Sequence, residues 1–178
     1  TLVFEVHQPV RLRKQGVDRS KADLHDRYFA HGFNREVFDK VASKCYYPAT
    51  YTLLDLIDNL KREKKPLKVA FSITGLWIEQ AERFQPELLD LFKQFPKRYV
   101  EFLDETYYHS LASLFEDMGE WEEQVKEHRK LMLSLFRQKP VVLTNTELIY
   151  NNVIAKHAES LGYKGIFTEG ANHILQWR

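Results

Sequence analysis

The chain has 178 residues, of which 44% are hydrophobic, so it is long enough to bury one substantial core and has an ordinary length for one domain. Its 26 basic side chains nearly balance its 25 acidic ones, which excludes the strong net field that draws a protein onto nucleic acid or an anionic membrane. The single cysteine, Cys45, excludes an internal disulfide and favours a reducing compartment, so we expect the cytoplasm.

The first half of the chain alternates apolar segments with amphipathic ones. Residues 2–6 alternate and end at His7-Gln8-Pro9, which predicts a strand followed by a loop because proline cannot continue a ladder. This start lacks the regions of a signal peptide, and no apolar run is long enough to predict a membrane span. A long charged excursion follows at residues 10–33. Helices are then predicted at residues 34–44 and 48–62, a buried strand at 67–73, and a helix at 75–84 that restarts after Pro86.

The second half continues the same alternation. Further strands are predicted at residues 99–104, 140–144 and 165–168, and further helices at 119–138 and 151–161. Strands and helices that alternate at this spacing indicate parallel βαβ units, and therefore an α/β fold with residues 1–178 in one domain. Five parallel strands do not close a barrel of the usual size, so we expect either an open sheet or further barrel strands beyond Arg178.

Three polar side chains lie near the carboxyl ends of predicted strands, where parallel α/β folds bind their ligands. Glu147 follows the fourth strand, where it either faces a crevice or caps the next helix. Glu101 is a charge inside an apolar strand, which marks a site or a structural ion pair, because an unpaired buried carboxylate is costly. His7 follows the first strand and fits a structural hydrogen bond as well as a ligand contact.

Aromatic residues make up 13% of the chain, and aromatic faces stack well on sugar rings. Trp77 is a candidate stacking platform, with packing in the core as the alternative. Tyr107, Tyr108 and His109 are candidate donors to sugar hydroxyls, or else they close the mouth of the predicted barrel. These residues agree with a carbohydrate ligand without requiring one.

Metal and cofactor sites have little support in the sequence. Cys45 has no cysteine partner, no His-Glu-x-x-His helix occurs, and the seven histidines are scattered. We interpret His25 and His31, which charged residues separate, as solvated loop histidines. Seven dispersed glycines form no phosphate-binding loop. We therefore predict no metal, no nucleotide and no other cofactor.

Three motifs in this order resemble a known family. They are His7-Gln8-Pro9, VEFLDETYYHSL at residues 100–111 and NTELIYNN at residues 145–152. Together they resemble the first three sequence regions of glycoside hydrolase family 57, and YYPATYTLLDLID and GYKGIFTEG are also similar to that family. The resemblance spans nearly the whole chain. It implies a seven-stranded parallel (β/α) barrel, of which residues 1–178 form an incomplete N-terminal portion.

The resemblance also implies a retaining mechanism on α-glucans. Glu147 matches the nucleophile, and His7 and Glu101 match residues that line the donor subsite. The general acid of the family is an aspartate in a later region, beyond Arg178. A retaining glycosidase needs two carboxyl groups about 5–5.5 Å apart, one to attack the anomeric carbon and one to protonate the leaving oxygen. We therefore expect Glu147 to be ionised and the isolated chain to lack turnover.

Several functions stay open at this point. The leading hypothesis is an α-amylase-like hydrolase of α-1,4 linkages in α-glucans or maltooligosaccharides. A 4-α-glucanotransferase or branching enzyme of the same family is the first alternative. A metal-dependent polysaccharide deacetylase requires an Asp-His-His set that the sequence does not assemble, and an inactive sugar-binding barrel fragment is a further alternative. No nucleic-acid or membrane partner is expected, and the sequence gives no expectation for the oligomeric state.

Overall fold

Parallel strands form the framework of the computed structural model, which describes residues 1–170. Strand β1 pairs with β2 and β2 with β3, while β4 pairs with β5, all in parallel. A parallel bridge between Asp104 and Leu143 connects the end of β3 to β4. The predicted α/β class with parallel strands is therefore confirmed. The strands in the described range are β1 (Leu2–Val6), β2 (Val69–Ile73), β3 (Val100–Phe102), β4 (Val142–Thr144) and β5 (Gly165–Phe167).

The chain divides into two compact units that are interleaved in sequence. The strand unit contains residues 1–6, 69–75 and those from 100 onward, and so includes all the strands named above. The helical unit contains residues 7–68 and 76–99. A single domain was expected from the length and the absence of a linker. The two units arise because long helical connections follow β1 and β2.

The core of the strand unit lies beneath two helices, α6 (Gly119–Phe136) and α7 (Asn152–Ser160). Every residue of β2 is buried, as expected for a strand whose residues are all apolar except Ser72. Asn151 caps α7 by accepting a hydrogen bond from the backbone N–H of Ile154 at 2.9 Å. A buried apolar cluster joins these helices to β4, and it includes Trp121, Val125, Leu143, Ile154 and Ala158.

The helical unit begins with the excursion after β1 and continues through a helical series. Its helices are α1 (Leu24–Tyr28), α2 (His31–Val41), α3 (Tyr47–Arg62), α4 (Gly75–Phe84, with Gly75 in the strand unit) and α5 (Pro86–Lys93). Proline occupies the first turn of α3 and of α5, where its missing N–H costs no hydrogen bond. A π-helical turn at Ala42–Tyr46 joins α2 to α3, so the predicted break between two helices is wrong.

The predicted elements exist, but several of their ends differ. The strand predicted at residues 67–73 begins at Val69, and the one predicted at 99–104 covers only Val100–Phe102. The excursion at residues 10–33 contains α1 and the start of α2, which its irregular charge pattern did not indicate. Among residues 1–170, no helix combines the length and apolarity needed to cross a membrane.

Candidate functional site

The turn after β4 presents Glu147 in an unusual backbone conformation. Glu147 has φ 55° and ψ 22°, and Leu148 follows with φ 56°. Left-handed conformations are rare for residues other than glycine and cost of order 1–3 kcal/mol each. The surrounding structure must therefore hold this turn in place.

Buried hydrogen bonds provide that support. The Oδ1 of Asn145 accepts from Trp121 Nε1 at 2.9 Å, and its Nδ2 donates to Ser113 Oγ at 3.0 Å and to the Ile149 carbonyl at 2.9 Å. The hydroxyl of Thr146 bonds to that of Thr106 at 2.8 Å. Asn145 is therefore an anchor of the turn, and Glu147 is the residue that the turn exposes.

The side chain of Glu147 is 71% exposed and contacts His109. Glu147 Oε1 lies 3.5 Å from His109 Nε2, and Glu5 Oε1 lies 3.3 Å from the same nitrogen. On the other side of the ring, His109 Nδ1 lies 3.3 Å from Glu105 Oε2. We call Glu5, Glu105, His109 and Glu147 the His109 cluster. All four residues belong to the strand unit.

His109 is a cation in this arrangement. Both ring nitrogens face carboxylates, so both act as donors, which requires the protonated imidazolium. The hydrogen bond to Glu105 raises the pKa of His109; burial opposes this, and the charges of Glu105 and Glu5 add to the increase. His109 itself has a left-handed φ of 52°. Two strained residues thus face each other across the cluster.

Glu105 is the buried member of the cluster, with its side chain 2% exposed. Its Oε1 accepts from Ser72 Oγ, in β2, at 2.6 Å. Glu5, near the end of β1, is half-exposed, and burial raises its pKa, against the opposing effect of His109. The cluster therefore brings together side chains near the carboxyl ends of β1 and β3 and the turn after β4, where parallel folds place their sites.

A second polar cluster lies deeper in the same unit. The carboxylate of Asp104 bonds to His128 Nδ1 at 2.5 Å, to Arg129 Nε at 3.1 Å and to the hydroxyl of Tyr163. The other ring nitrogen of His128 faces the Ile73 carbonyl at 2.7 Å, so both ring nitrogens donate. We call Asp104, His128, Arg129 and Tyr163 the Asp104 cluster.

Ionisation in the Asp104 cluster follows from its geometry. Asp104 and His128 are fully buried. Burial disfavours the imidazolium, yet the hydrogen bond and charge of Asp104 outweigh it and raise the pKa of His128. Burial and the Asp104 charge also raise the pKa of Tyr163, which keeps its phenol protonated and donating. The cluster ties β2 and β3 to α6 and to the segment before β5.

The prediction that Glu101 is a buried charge is wrong. Glu101 is the middle residue of β3 and is exposed, whereas its neighbours Val100 and Phe102 are buried. Successive strand side chains point to opposite faces, so the apolar neighbours occupy the core and Glu101 faces away from it. The buried carboxylates of this segment are Asp104 and Glu105, beyond the end of the strand.

The predicted role of Trp77 as a sugar-stacking platform is also wrong. Trp77 is fully buried in the helical unit, where its ring centroid lies 5.3 Å from those of Tyr46 and Phe92 and 5.8 Å from that of Phe38. A ring enclosed by other aromatic rings presents no face to a ligand. Core packing, the alternative given for this residue, is the observed arrangement.

The two tyrosines of the ETYYHS stretch have different environments. Tyr107 is only 9% exposed, and a Cβ added to Gly75 would come within 2.5 Å of its ring, so Tyr107 packs directly on the start of α4. The ring therefore offers no stacking face, and the predicted role of its hydroxyl as a donor to sugar stays a prediction. Tyr108 is exposed, with its ring centroid 4.8 Å from that of Tyr107, and its role in binding stays a prediction.

The remaining predicted histidines lie in the helical unit. His7 is partly buried, and its carbonyl accepts from the Tyr46 hydroxyl at 3.4 Å. Its role toward a ligand stays a prediction. His25 and His31 were interpreted as solvated loop histidines. His25 is exposed, but the loop placement is wrong, because the two residues lie on α1 and α2. His25 Nδ1 lies 3.1 Å from His31 Nε2.

Sequence reasoning missed two members of the His109 cluster. Glu105 follows β3 directly, inside a motif that carried the family resemblance, but the third strand was predicted to be too long and the carboxylate within it was chosen instead. Glu5 lies two residues before His7, in a strand otherwise made of apolar residues. In both cases the available signal was a carboxylate near the carboxyl end of a parallel strand.

Known proteins resemble this chain in sequence and in fold. A protein of Methanocaldococcus jannaschii named "Putative alpha-amylase" is 49% identical over 179 residues, which cover 100% of this chain and 37% of that protein. The crystal structure of 4-alpha-glucanotransferase from Thermococcus litoralis matches with a TM-score of 0.68 and 16% identity over 93% of this chain and 21% of that chain. At this identity the match shows the fold alone.

The chain thus spans well under half the length of both relatives. A polysaccharide deacetylase from Bacillus cereus matches 63% of this chain and 51% of that chain at 19% identity, and its TM-score of 0.46 is too low to support a functional argument. The sequence model of glycosyl hydrolase family 57 matches residues 1–178. A match over the whole chain shows that this chain belongs to glycosyl hydrolase family 57.

Proposed function

We propose that residues 1–178 form the N-terminal part of the catalytic barrel of a retaining glycoside hydrolase that cleaves α-1,4 linkages in α-glucans, with Glu147 as its nucleophile. The single observation that carries this proposal is the contact of an exposed Glu147 carboxylate with the His109 imidazolium. A carboxylate nucleophile must be both accessible and held toward its target. Exposure provides the first property, and the contact with His109 Nε2 contributes to the second.

The strained backbone supports the same assignment. Glu147 and His109 both have positive φ, and they contact each other. Residues held in sparsely populated conformations cluster at active sites, where the surrounding structure fixes the geometry of reacting groups. The buried bonds of Asn145 and Thr146 fix this turn, so the orientation of the Glu147 carboxylate is largely set before substrate binds.

The reaction follows the chemistry of retaining glycosidases. A Glu147 oxygen forms a bond to the anomeric carbon as the glycosidic C–O bond breaks, and the general acid delivers a proton to the leaving oxygen. Water then attacks the glycosyl-enzyme, its proton returns to the same acid, and Glu147 is released as a carboxylate. The family resemblance places that acid beyond Arg178, so isolated residues 1–178 are expected to show no turnover.

Within the His109 cluster the other carboxylates have supporting roles. Glu105 is enclosed and bonded to Ser72, so it holds the imidazolium rather than touching sugar. Glu5 is half-exposed beside the same nitrogen that Glu147 contacts, so it is placed to accept a hydrogen bond from a sugar hydroxyl. We retain His7, Glu101 and Tyr108 as further substrate-binding residues.

Hydrolysis and transfer differ only in the group that resolves the glycosyl-enzyme, which is water in one case and a sugar hydroxyl in the other. We place hydrolysis first because the relative at 49% identity bears an amylase name, whereas the transferase match shows fold alone. Incubation of the full-length protein with maltoheptaose separates the two. Net production of reducing ends supports hydrolysis, and redistribution of chain lengths at constant reducing ends supports transfer.

The test of the nucleophile is Glu147→Gln in the full-length protein, assayed on soluble starch. We expect a loss of at least roughly 10³-fold in kcat with the fold retained, because the amide cannot form the glycosyl-enzyme. Glu159→Gln is the matched control, since the same change at an exposed position on α7, outside the His109 cluster, is expected to leave kcat within about twofold of the native value. Starch turnover by the Glu147→Gln protein at more than a tenth of the native rate would contradict the assignment.

The deacetylase alternative is tested separately. A polysaccharide deacetylase depends on a bound metal ion, whereas the mechanism above uses carboxyl groups alone. We expect starch turnover by the full-length protein to persist in excess EDTA. Release of acetate from an acetylated polysaccharide, abolished by EDTA, would support the deacetylase instead.

A further inference from the structure

Three potential metal ligands converge in the helical unit, and no step of the proposed glycosidase reaction uses them. His25 and Asp26 lie on α1, and His31 is the first residue of α2. One ligand atom from each residue can be chosen so that all three lie within 4.8 Å of one another. His31 Nε2 lies 3.1 Å from His25 Nδ1 and 2.6 Å from Asp26 Oδ1.

The backbone that holds these side chains is itself fixed. The carbonyl of His25 accepts from the Phe29 N–H at 2.9 Å, and the carbonyl of Asp26 accepts from Arg13 Nε at 3.0 Å. The Ala30 N–H, directly before His31, donates to the Arg11 carbonyl at 3.0 Å. The backbone at Asp26 and at the residue before His31 is thus hydrogen-bonded to Arg13 and Arg11, and that of His25 is bonded at the end of its own helix. Such support favours metal binding.

The donor set and its spacing suit a transition-metal ion. Two imidazole nitrogens and one carboxylate oxygen form a set that binds zinc, cobalt or nickel. At bond lengths of about 2.0–2.1 Å, neighbouring ligands of a tetrahedral ion lie roughly 3.3 Å apart. The 3.1 Å between the two histidine nitrogens is close to this value, the 2.6 Å between His31 and Asp26 is shorter, and all three ligand atoms lie within 4.8 Å of one another.

Space for an ion and its remaining ligands adjoins the histidines. A small pocket of about 60 Å³ is lined by both histidines together with Glu79, Gln80 and Arg83. One water molecule occupies about 30 Å³ in the liquid, so the pocket has room for an ion and one water. Glu79 adds a second carboxylate to the wall of this pocket.

From this convergence we propose that His25, Asp26 and His31 bind a divalent transition-metal ion of the zinc class. Water, or Glu79, occupies the fourth position. The ion links the short helix α1 to the start of α2 and so fixes part of the long excursion between β1 and α2. This proposal is independent of the proposed glycosidase function, because none of its residues belongs to the His109 cluster.

In the metal-free form, the contact of Arg83 with His31 determines which ring nitrogen of His31 carries the proton. Arg83 Nη1 lies 3.2 Å from His31 Nδ1 and donates to it, so the ring proton lies on Nε2 and is donated to Asp26. Metal binding at Nε2 requires that proton on Nδ1, which breaks the bond to Arg83. The guanidinium therefore competes with the metal, and its removal should strengthen binding.

The experiment uses Co²⁺ and Zn²⁺ with the untagged full-length protein carrying Cys45→Ser, which removes the exposed thiol as an alternative ligand. Co²⁺ binding is followed by visible absorption, and Zn²⁺ affinity by competition with a chelating dye. The His25→Ala/His31→Ala double variant defines the background from other sites. We expect one equivalent of Co²⁺ above this background, with the intense absorption of a four-coordinate ion.

Single variants then test the ligands and the competitor. His25→Ala and His31→Ala should each weaken Zn²⁺ binding at least roughly 100-fold, and Arg83→Gln should strengthen it severalfold. His157→Ala is the matched control, because this histidine pairs with Glu122 elsewhere and should leave affinity unchanged. Circular dichroism in EDTA confirms that each variant is folded. Absence of a difference between the parent and the double variant, or weaker binding in Arg83→Gln, would overturn the proposal.

Discussion

The two polar clusters of the strand unit are built from similar groups in opposite proportions. In the His109 cluster one imidazolium is shared by three carboxylates, Glu5, Glu105 and Glu147. In the Asp104 cluster one carboxylate is shared by three donors, His128, Arg129 and Tyr163. The first is partly exposed at the strand ends, and the second is enclosed.

This difference separates a reactive arrangement from a structural one. The donors around Asp104 use its lone pairs and compensate its charge, so the group has no capacity left for a ligand. The carboxylates around His109 exceed the charge that one imidazolium can compensate, and the excess lies on the exposed members. A cluster with surplus carboxylate at the surface is suited to attack or bind a substrate, whereas an enclosed cluster whose one carboxylate is fully hydrogen-bonded fixes the fold.

The largest expected effect on stability is at Asp104. Asp104→Asn leaves the positive charges of His128 and Arg129 facing a neutral amide inside the strand unit, and breaking a buried ion pair in this way costs about 3–5 kcal/mol. Thermal and denaturant unfolding of the full-length protein measures the loss. Glu101→Gln, an exposed change in the adjacent strand, should stay within about 0.5 kcal/mol of the native protein. A similar small effect at Asp104 would show that the cluster is not structural.

The next largest effect is expected from a substitution of His109, which tests the role assigned to the His109 cluster. His109→Gln keeps a donor but removes the positive charge, so we expect kcat/KM to fall by roughly 10–100-fold. Because the folded-state pKa of His109 is raised, its charge persists above the ordinary value of about 6.5 and is lost as pH rises through the folded value. The part of the alkaline decrease in kcat/KM that comes from His109 should therefore disappear in the variant.

The pH experiment has a matched control in His157→Gln. His157 pairs with a single carboxylate, Glu122, at 2.6 Å, so its loss should leave the pH profile of the native protein unchanged. The stability of the fold should depend on pH in the same direction. The ion pairs of His109 with Glu5, Glu105 and Glu147 stabilise the fold fully below about pH 6.5 and weaken as pH rises through the raised pKa. An alkaline limb identical in native and His109→Gln proteins would refute the role of this imidazolium.

The smallest effect concerns the strain at the turn after β4. Glu147→Gly removes the side chain from a residue with φ 55°, a conformation that glycine adopts without penalty, so we expect stability to increase by about 1 kcal/mol while activity is lost. Unfolding of the full-length protein measures the gain. Tyr150→Gly, at an exposed position three residues later, serves as the comparison and should not stabilise. Destabilisation by Glu147→Gly would show that the turn stores no strain.

Hydrophobic pattern predicted the framework well. The alternation of apolar runs with amphipathic segments located every strand between residues 1 and 170, and the motif NTELIYNN placed Glu147 after a strand, where it is found. These features depend on local periodicity and on the rule that ligands meet the carboxyl ends of parallel strands.

The sequence alone could not predict which side chains meet in each cluster. Glu5, Glu105 and His109 meet only because three strands adopt a specific register, and register is a property of pairing rather than of any one segment. Trp77 failed as a stacking candidate for a related reason, since residue type alone does not reveal that other side chains enclose a ring. The contact between His25 and His31 likewise depends on the fold of residues 10–33, whose sequence has no periodic pattern.

The central claim, that Glu147 forms the glycosyl-enzyme, is tested most directly by chemical rescue. The full-length Glu147→Gly protein is incubated with α-maltosyl fluoride, with and without sodium azide, and the products are analysed by NMR. The account predicts that azide enters the space of the missing carboxylate, restores turnover and gives a β-maltosyl azide. Rescue by azide in a Glu105→Gly or Glu5→Gly protein, with none in Glu147→Gly, would contradict it.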